Sequence, residues 1–201
     1  RVNDFHGLSA EADLTILVEE TGLYYDTSSV TGLNFGNKNW NTTEAFWNAD
    51  ASGLADLSPW PGAAFVAIFN TGGSSTATLT EDIRAAGLVI DSGSVTLTGE
   101  ELSLGSGGVS IAESLTANLP DLDLSAPQTW NLGTGSLLNV RNVESNGHAL
   151  TFDGTGDVVV TDGDNGATDL NGGGDIIWNS SGTMVIHGRN HTSGDLIVNN
   201  G

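Results

Sequence analysis

The residues best suited to chemistry lie between Thr161 and Asp175, where Asp162, Asp164, Asn165, Asp169, Asn171 and Asp175 put carboxylates and amides into a single loop. Hard oxygen donors at that density are what Ca²⁺ takes, so Asp162, Asp164 and Asp169 are the candidate ligands. The spacing departs from an EF-hand loop, because a glycine (Gly166) stands at the fifth position instead of the sixth, and the Gly-Gly-x-Gly-x-Asp repeat of calcium-bound solenoids is absent. A solvated loop between elements accounts for the same residues, and no cofactor is expected. His187 and His191 are four apart, but on a strand and its turn that spacing does not converge on a metal. Neither a Gly-x-Ser-x-Gly elbow nor a phosphate loop nor a dinucleotide fingerprint occurs. Three of the five tryptophans, Trp40, Trp47 and Trp60, fall close together and are the candidate carbohydrate contacts, since exposed indoles stack on sugars. Their other reading is a cap of buried rings closing a hydrophobic column. Lys38 is the single lysine and is a conceivable partner for an isopeptide link to Asn or Asp.

Charge narrows the partners. With 25 acids and 5 bases, the formal charge is −20. Nucleic acid needs a basic footprint and an anionic bilayer attracts bases, so neither partner fits. No run approaches the length of a membrane span, and no membrane insertion is expected. The bases Arg1, Lys38, Arg84, Arg141 and Arg189 are scattered, which leaves nothing to hold an anionic sugar for acid–base cleavage. The absence of cysteine excludes disulfides and thiol catalysis. The first residue, Arg1, fits either a processed terminus or an arbitrary boundary.

These residues must be positioned by strands. Thr76-Ala77-Thr78-Leu79-Thr80, Gly87-Leu88-Val89-Ile90, Ser94-Val95-Thr96-Leu97-Thr98, Leu102-Ser103-Leu104, Val109-Ser110-Ile111 and Leu115-Thr116-Ala117-Asn118-Leu119 alternate apolar with small polar residues. Period two is the mark of a half-buried strand. The strands recur every seven to ten residues with Gly, Ser or Asp between them and no helical pattern. Asn146-Gly147, Asp153-Gly154 and Asp162-Gly163 could serve as hairpin turns, but the run from Thr76 to Leu119 has none, and strands so short favour a solenoid over a sandwich of hairpins. The rhythm continues through Leu122-Asp123-Leu124, Thr129-Trp130-Asn131-Leu132, Leu137-Leu138-Asn139-Val140 and Ala149-Leu150-Thr151-Phe152, with Asn and Thr placed to form ladders between coils. Val158-Val159-Val160, Ile176-Ile177-Trp178 and Met184-Val185-Ile186 are apolar at consecutive positions, which predicts strands covered on both faces. Composition suggests an N-terminal extension at 1–35, an aromatic cap at 36–70 and coils at 71–201. Within the extension, Leu14, Ile16, Leu17 and Val18 make an apolar run flanked by Asp13 and Glu19. It reads as the first strand of the fold or as an arm exchanged with a neighbouring copy.

From Asn39-Trp40-Asn41-Thr42-Thr43-Glu44-Ala45-Phe46-Trp47-Asn48 through Trp60-Pro61-Gly62 and Phe65-Val66-Ala67-Ile68-Phe69, the chain resembles the opening of proteins with autotransporter-associated β-strand repeats. The tail is similar to the repeat itself, keeping Gly182, Thr183, Gly188, Asn190, Thr192, Gly194, Val198, Asn199 and Gly201. It departs at His187, Arg189 and His191, where that family favours small or aromatic residues. The resemblance covers residues 39–201 and implies a right-handed parallel β-helix exported to the cell surface or beyond as a passenger, adhesin or structural protein. The resulting expectation is an all-β, right-handed parallel β-helix with an aromatic N-terminal cap and an extension strand. It is expected to be non-enzymatic and to polymerise head-to-tail with copies of itself as a surface filament or adhesin fibre. The alternative is a β-helix that binds or degrades host or matrix glycans.

Overall fold

The computed structural model describes residues 21–161, 170–187 and 193–199. Leu14, Ile16, Leu17, Val18, Asp162, Asp164, Asp169 and His191 lie outside the described residues. Within them the chain is all-β, with seventeen strands and no helix. The first four are β1 (Thr21–Tyr25), β2 (Asn37–Trp40), β3 (Trp47–Asn48) and β4 (Phe65–Asn70). Next come β5 (Ser75–Leu79), β6 (Ile83–Ser92), β7 (Val95–Gly99), β8 (Leu102–Ile111), β9 (Thr116–Leu124), β10 (Gln128–Leu132), β11 (Leu137–Glu144), β12 (Leu150–Gly154) and β13 (Asp157–Val160). The last are β14 (Leu170–Asn171), β15 (Ile176–Trp178), β16 (Met184–Ile186) and β17 (Leu196–Val198).

Their pairing is parallel except where β3 runs against β1, and it winds the chain into a β-solenoid of about six turns. The pairings define three faces. On the first stand β2, β5, β7, the front of β9, the front of β11, β13 and β16. The second holds the fronts of β6 and β8, the backs of β9 and β11, and β14. The third carries β1, β4, the backs of β6 and β8, then β10, β12, β15 and β17. The long strands are thus continuous segments that bend round a corner. In β8 the corner falls on Gly105-Ser106-Gly107, which adds residues between Leu104 and Gly108 relative to Ala85 and Gly87 of β6.

Register fixes the length of a coil. Ala67, Leu88, Val109, Trp130, Phe152, Trp178 and Val198 lie in one file on the third face, so from Ala67 onward a coil takes 20–22 residues apart from one of 26. The long coil is the one containing the acidic stretch 162–169. Extra residues there leave the column undisturbed, because the strands on either side keep their pairing.

Alternation delivers the core. In β7, Val95 and Leu97 are buried while Thr96 and Thr98 face out; in β9, Ala117, Leu119, Leu122 and Leu124 point inward. Fully burying a Val, Leu or Ile side chain contributes about 1.5–3 kcal/mol, and each coil supplies several. Along the third face Trp130, Phe152 and Trp178 stack with centroids 5.1 and 5.6 Å apart. Gln128 is the polar member of this core. It donates to the Leu104 carbonyl at 3.1 Å and accepts from Trp130 Nε1 at 2.8 Å, so its burial leaves no unpaired amide.

Two expectations change. Strands β13, β15 and β16 are not covered on both faces, since Val159 and Ile177 are only half-buried and Val185 is exposed. Their apolar outward residues sit on bare solenoid faces. The first coil also begins earlier than composition suggested, because β1 pairs with β4 along Thr21 to Tyr24.

Candidate functional site

The solenoid has two unlike ends, and the difference is built from the residues of the first and last rungs. At the N-terminal end the first coil is long, with Leu23 in register with Ala67. Its extra chain folds back over the end of the column. Strand β3 pairs antiparallel with β1, matching Tyr25 to Trp47, and Trp47 exchanges backbone hydrogen bonds with Ser58 at 3.1 and 2.8 Å. This path carries Trp47 and Trp60 onto Trp40, Tyr25 and Phe69. Trp47 lies 4.6 Å from Trp60, 4.8 Å from Trp40, 5.7 Å from Tyr25 and 5.8 Å from Phe69 between centroids. Trp60 Nε1 donates to the Arg84 carbonyl at 2.8 Å, and the Tyr25 hydroxyl donates to the Gly36 carbonyl at 3.2 Å. Burial pushes the Tyr25 hydroxyl well above its ordinary pKa and keeps it a donor.

This geometry decides between the two readings of the tryptophans. Trp40, Trp47 and Trp60 are at most 2% exposed, so none offers a ring face to a sugar. The carbohydrate-contact expectation for these three is corrected, and the cap reading holds. The physical reason is that an open column end exposes apolar surface, which the largest apolar rings in the chain cover most efficiently.

Beside the plug, β2 pairs only with β5 among the described residues. At its centre Lys38 stands in register with Ala77, an inward and fully buried position. Lys38 is itself exposed, with Nζ 4.9 Å from the centroid of Phe46. A charged side chain at an inward position of an edge strand prevents another strand from docking, because docking would bury the ammonium.

The C-terminal end has no such device among the described residues. Among the described residues strand β17 pairs with β15. Leu196 and Val198 stand in the core file above Ile176 and Trp178, yet are 52% and 59% exposed.

Along the sides, polar ladders run from coil to coil. Asn118 Nδ2 donates to Thr96 Oγ1 at 3.1 Å, and Asn139 Nδ2 donates to Asn118 Oδ1 at 2.9 Å. They floor a shallow groove of about 420 Å³ edged by Thr98, Pro120 and Arg141. Arg141 holds Asp121 in a two-pronged pair at 3.0 and 2.9 Å, one coil apart. On the second face Asp82, Glu101, Asp121, Asp123 and Glu144 form an acidic corner. Burial first, and then the charges of Asp123, Asp82, Asp121 and Glu144, raise the pKa of Glu101. Among the described residues no group of three or more His, Asp or Glu is arranged to hold a metal ion. His187 is exposed at the end of β16. Compared with known proteins, the chain matches no family model, no curated protein and no solved structure.

Proposed function

We propose that the chain is a non-enzymatic, extracellular structural or adhesive rod that assembles with copies of itself. The fold is compatible with a structural or adhesin-like protein. The observation that supports the reading is the column itself, in which parallel rungs pair only with their neighbours and the aromatic rings of the first coil are buried. Bare stacking of head on tail is disfavoured, because it would bury the Lys38 ammonium without a partner. A strand supplied by another copy meets no such obstacle. Leu14, Ile16 and Val18 alternate as an added rung requires, and main-chain pairing at an open sheet edge with alternate side chains in pockets is a recurring mode of recognition. The arm is contiguous in sequence with β1, so laying it on another copy links the two chains in series. The contact is heterologous and does not close, which makes fibres. The resemblance of residues 39–201 to autotransporter-associated repeats supports export to the surface.

The test compares the whole chain with a variant lacking residues 1–20 by negative-stain electron microscopy and sedimentation. Fibres from the whole chain and monomers from the truncated one are expected. Fibres of equal length and number from both would refute the exchanged arm. Monomers from both would refute assembly.

A further inference from the structure

Four Asn-Gly pairs occur in the sequence, at Asn146, Asn165, Asn171 and Asn200, and two of these lie among the described residues. Asn-Gly is the sequence in which a backbone amide most readily attacks the preceding side chain, because glycine places no Cβ in the path. Whether it happens depends on where the side-chain amide is held, and the two pairs differ.

At Asn146–Gly147 the amide is engaged elsewhere. Asn146 Nδ2 donates to Asp123 Oδ1 and, at 3.2 Å, to the Leu124 carbonyl, which ties the side chain to the neighbouring coil. At Asn171–Gly172 the side chain folds over its own peptide. The Gly172 N–H donates to Asn171 Oδ1 at 2.8 Å. The main chain is pinned in this shape by the Asn171 carbonyl, which accepts from the Ser145 N–H at 2.8 Å, and by the pairing of β14 with Val143 and Glu144. Gly172 has φ +105°, a conformation that side chains rarely adopt.

The surroundings of Gly172 supply a base. A Cβ added there would run into Ser145 Oγ and would come within 2.8 Å of Glu144 Oε1. The Glu144 carboxylate therefore lies near the Gly172 Cα, beside Ser145 Oγ and the Asn146 nitrogen. With Oδ1 held 2.8 Å from the Gly172 nitrogen, Cγ is no more than about 4 Å from it, and a turn about Cα–Cβ that breaks the hydrogen bond can carry Cγ towards the separation of about 3–3.5 Å at which reacting atoms are poised.

We propose that Asn171–Gly172 is a self-modifying site, at which the Gly172 nitrogen closes on Asn171 Cγ with Glu144 as the base. Glu144 takes the amide proton as the N–Cγ bond forms. The same proton passes to Nδ2, the Cγ–Nδ2 bond breaks, and ammonia leaves. The product is a five-membered succinimide spanning positions 171 and 172. Water opens it at either carbonyl, giving aspartate or isoaspartate at position 171. Either product adds a carboxylate beside Glu144 on the acidic corner, and isoaspartate also lengthens the main chain by one carbon within the rung that pairs with β11. The reaction is irreversible, so it marks the age of each molecule and loosens the long coil as it proceeds. At Asp153–Gly154, the Gly154 N–H likewise meets Asp153 Oδ1 at 2.7 Å, but ring closure there must expel water in place of ammonia and is slower.

The experiment incubates the purified chain at neutral and mildly alkaline pH, folded and in urea, and follows each Asn-Gly pair by peptide mapping with isoaspartate detection. Mapping resolves Asn165 and Asn200 separately. In the folded chain Asn171 is expected to convert ahead of Asn146 and faster than it does in urea. Glu144→Gln should slow Asn171 by about tenfold, a small part of what a well-aligned base supplies, and leave Asn146 unchanged, with a cooperative thermal transition retained. Conversion of Asn146 first, or a rate at Asn171 no faster folded than unfolded, would overturn the site. An unchanged Asn171 rate in Glu144→Gln would overturn the base.

Discussion

Replacing Trp47 by alanine tests whether the aromatic plug closes the column or merely lies upon it. A tryptophan of this kind buries about 150–250 Å². At about 25 cal/mol per Å², that area corresponds to roughly 4–6 kcal/mol, of which alanine retains a small part. Trp47 meets four rings with centroids 4.6–5.8 Å away, and none of these can fill its place without giving up another contact. The backbone bonds between Trp47 and Ser58 survive the change, so β3 remains in place and the cavity stays open. A loss of about 3–5 kcal/mol follows, the usual range for a large aromatic cut to alanine in a packed core. Urea unfolding followed by circular dichroism measures it. Trp47→Phe, which keeps a ring among the four neighbours, should lose clearly less and guards against a variant that fails to fold. Because each coil leans only on its neighbours, the damage should appear first as fraying at the N-terminal end, visible as early hydrogen exchange in β1 and β2. A loss below about 1 kcal/mol, well under the range for a filled core site, would show that the plug repacks freely and that the column needs no closure.

Three further outcomes can be stated. Gly99 has φ +98°, and a methyl group there would collide with the Leu79 carbonyl oxygen; Gly99→Ala should cost at least about 1–3 kcal/mol from backbone strain alone, read from the urea midpoint. The folded pKa of Glu101 is raised above its unfolded value by burial and by Asp123, Asp82, Asp121 and Glu144, so its contribution is fully present below the unfolded pKa and is lost as pH rises through the folded one. Thermal stability should therefore rise on acidification from neutral pH towards the ordinary glutamate range, and Glu101→Gln should flatten that slope. Arg141→Ala removes a half-exposed pair with Asp121, and the expected cost of about 0–1 kcal/mol should shrink further in high salt.

The repeated strands were legible because alternation is a local property: Val95, Leu97, Leu102 and Leu104 announce their burial within five-residue windows. Coil length was less so. Thr96, Asn118 and Asn139 stand one above another only because intervening corners absorb one or two residues, and no window in the sequence shows that tolerance. The tryptophans were visible as a group but not as buried, since their burial depends on the chain between β2 and β4 folding back, and on β3 reversing direction against β1. Lys38 and Arg141 looked like scattered charges. One occupies an inward edge position, and the other meets an aspartate twenty residues earlier, which is a neighbour only once the chain is coiled. Asn171 gave no signal apart from the other three Asn-Gly pairs, because the sequence carries the reactive dipeptide but not the pose of its side chain.

The constancy of the coil has a mechanical consequence. Rungs are joined by hydrogen bonds directed along the axis, so a pull on the two ends loads one rung-to-rung seam at a time and peels the solenoid like thread from a spool. Each coil of about 21 residues would release roughly 70 Å of slack before the next seam is loaded, taking an extended chain at about 3.3–3.6 Å per residue. Under tension such a rod would lengthen in nearly equal steps from Ala67 onward, with a longer stride from the 26-residue coil and the longest from the first coil, between Leu23 and Ala67.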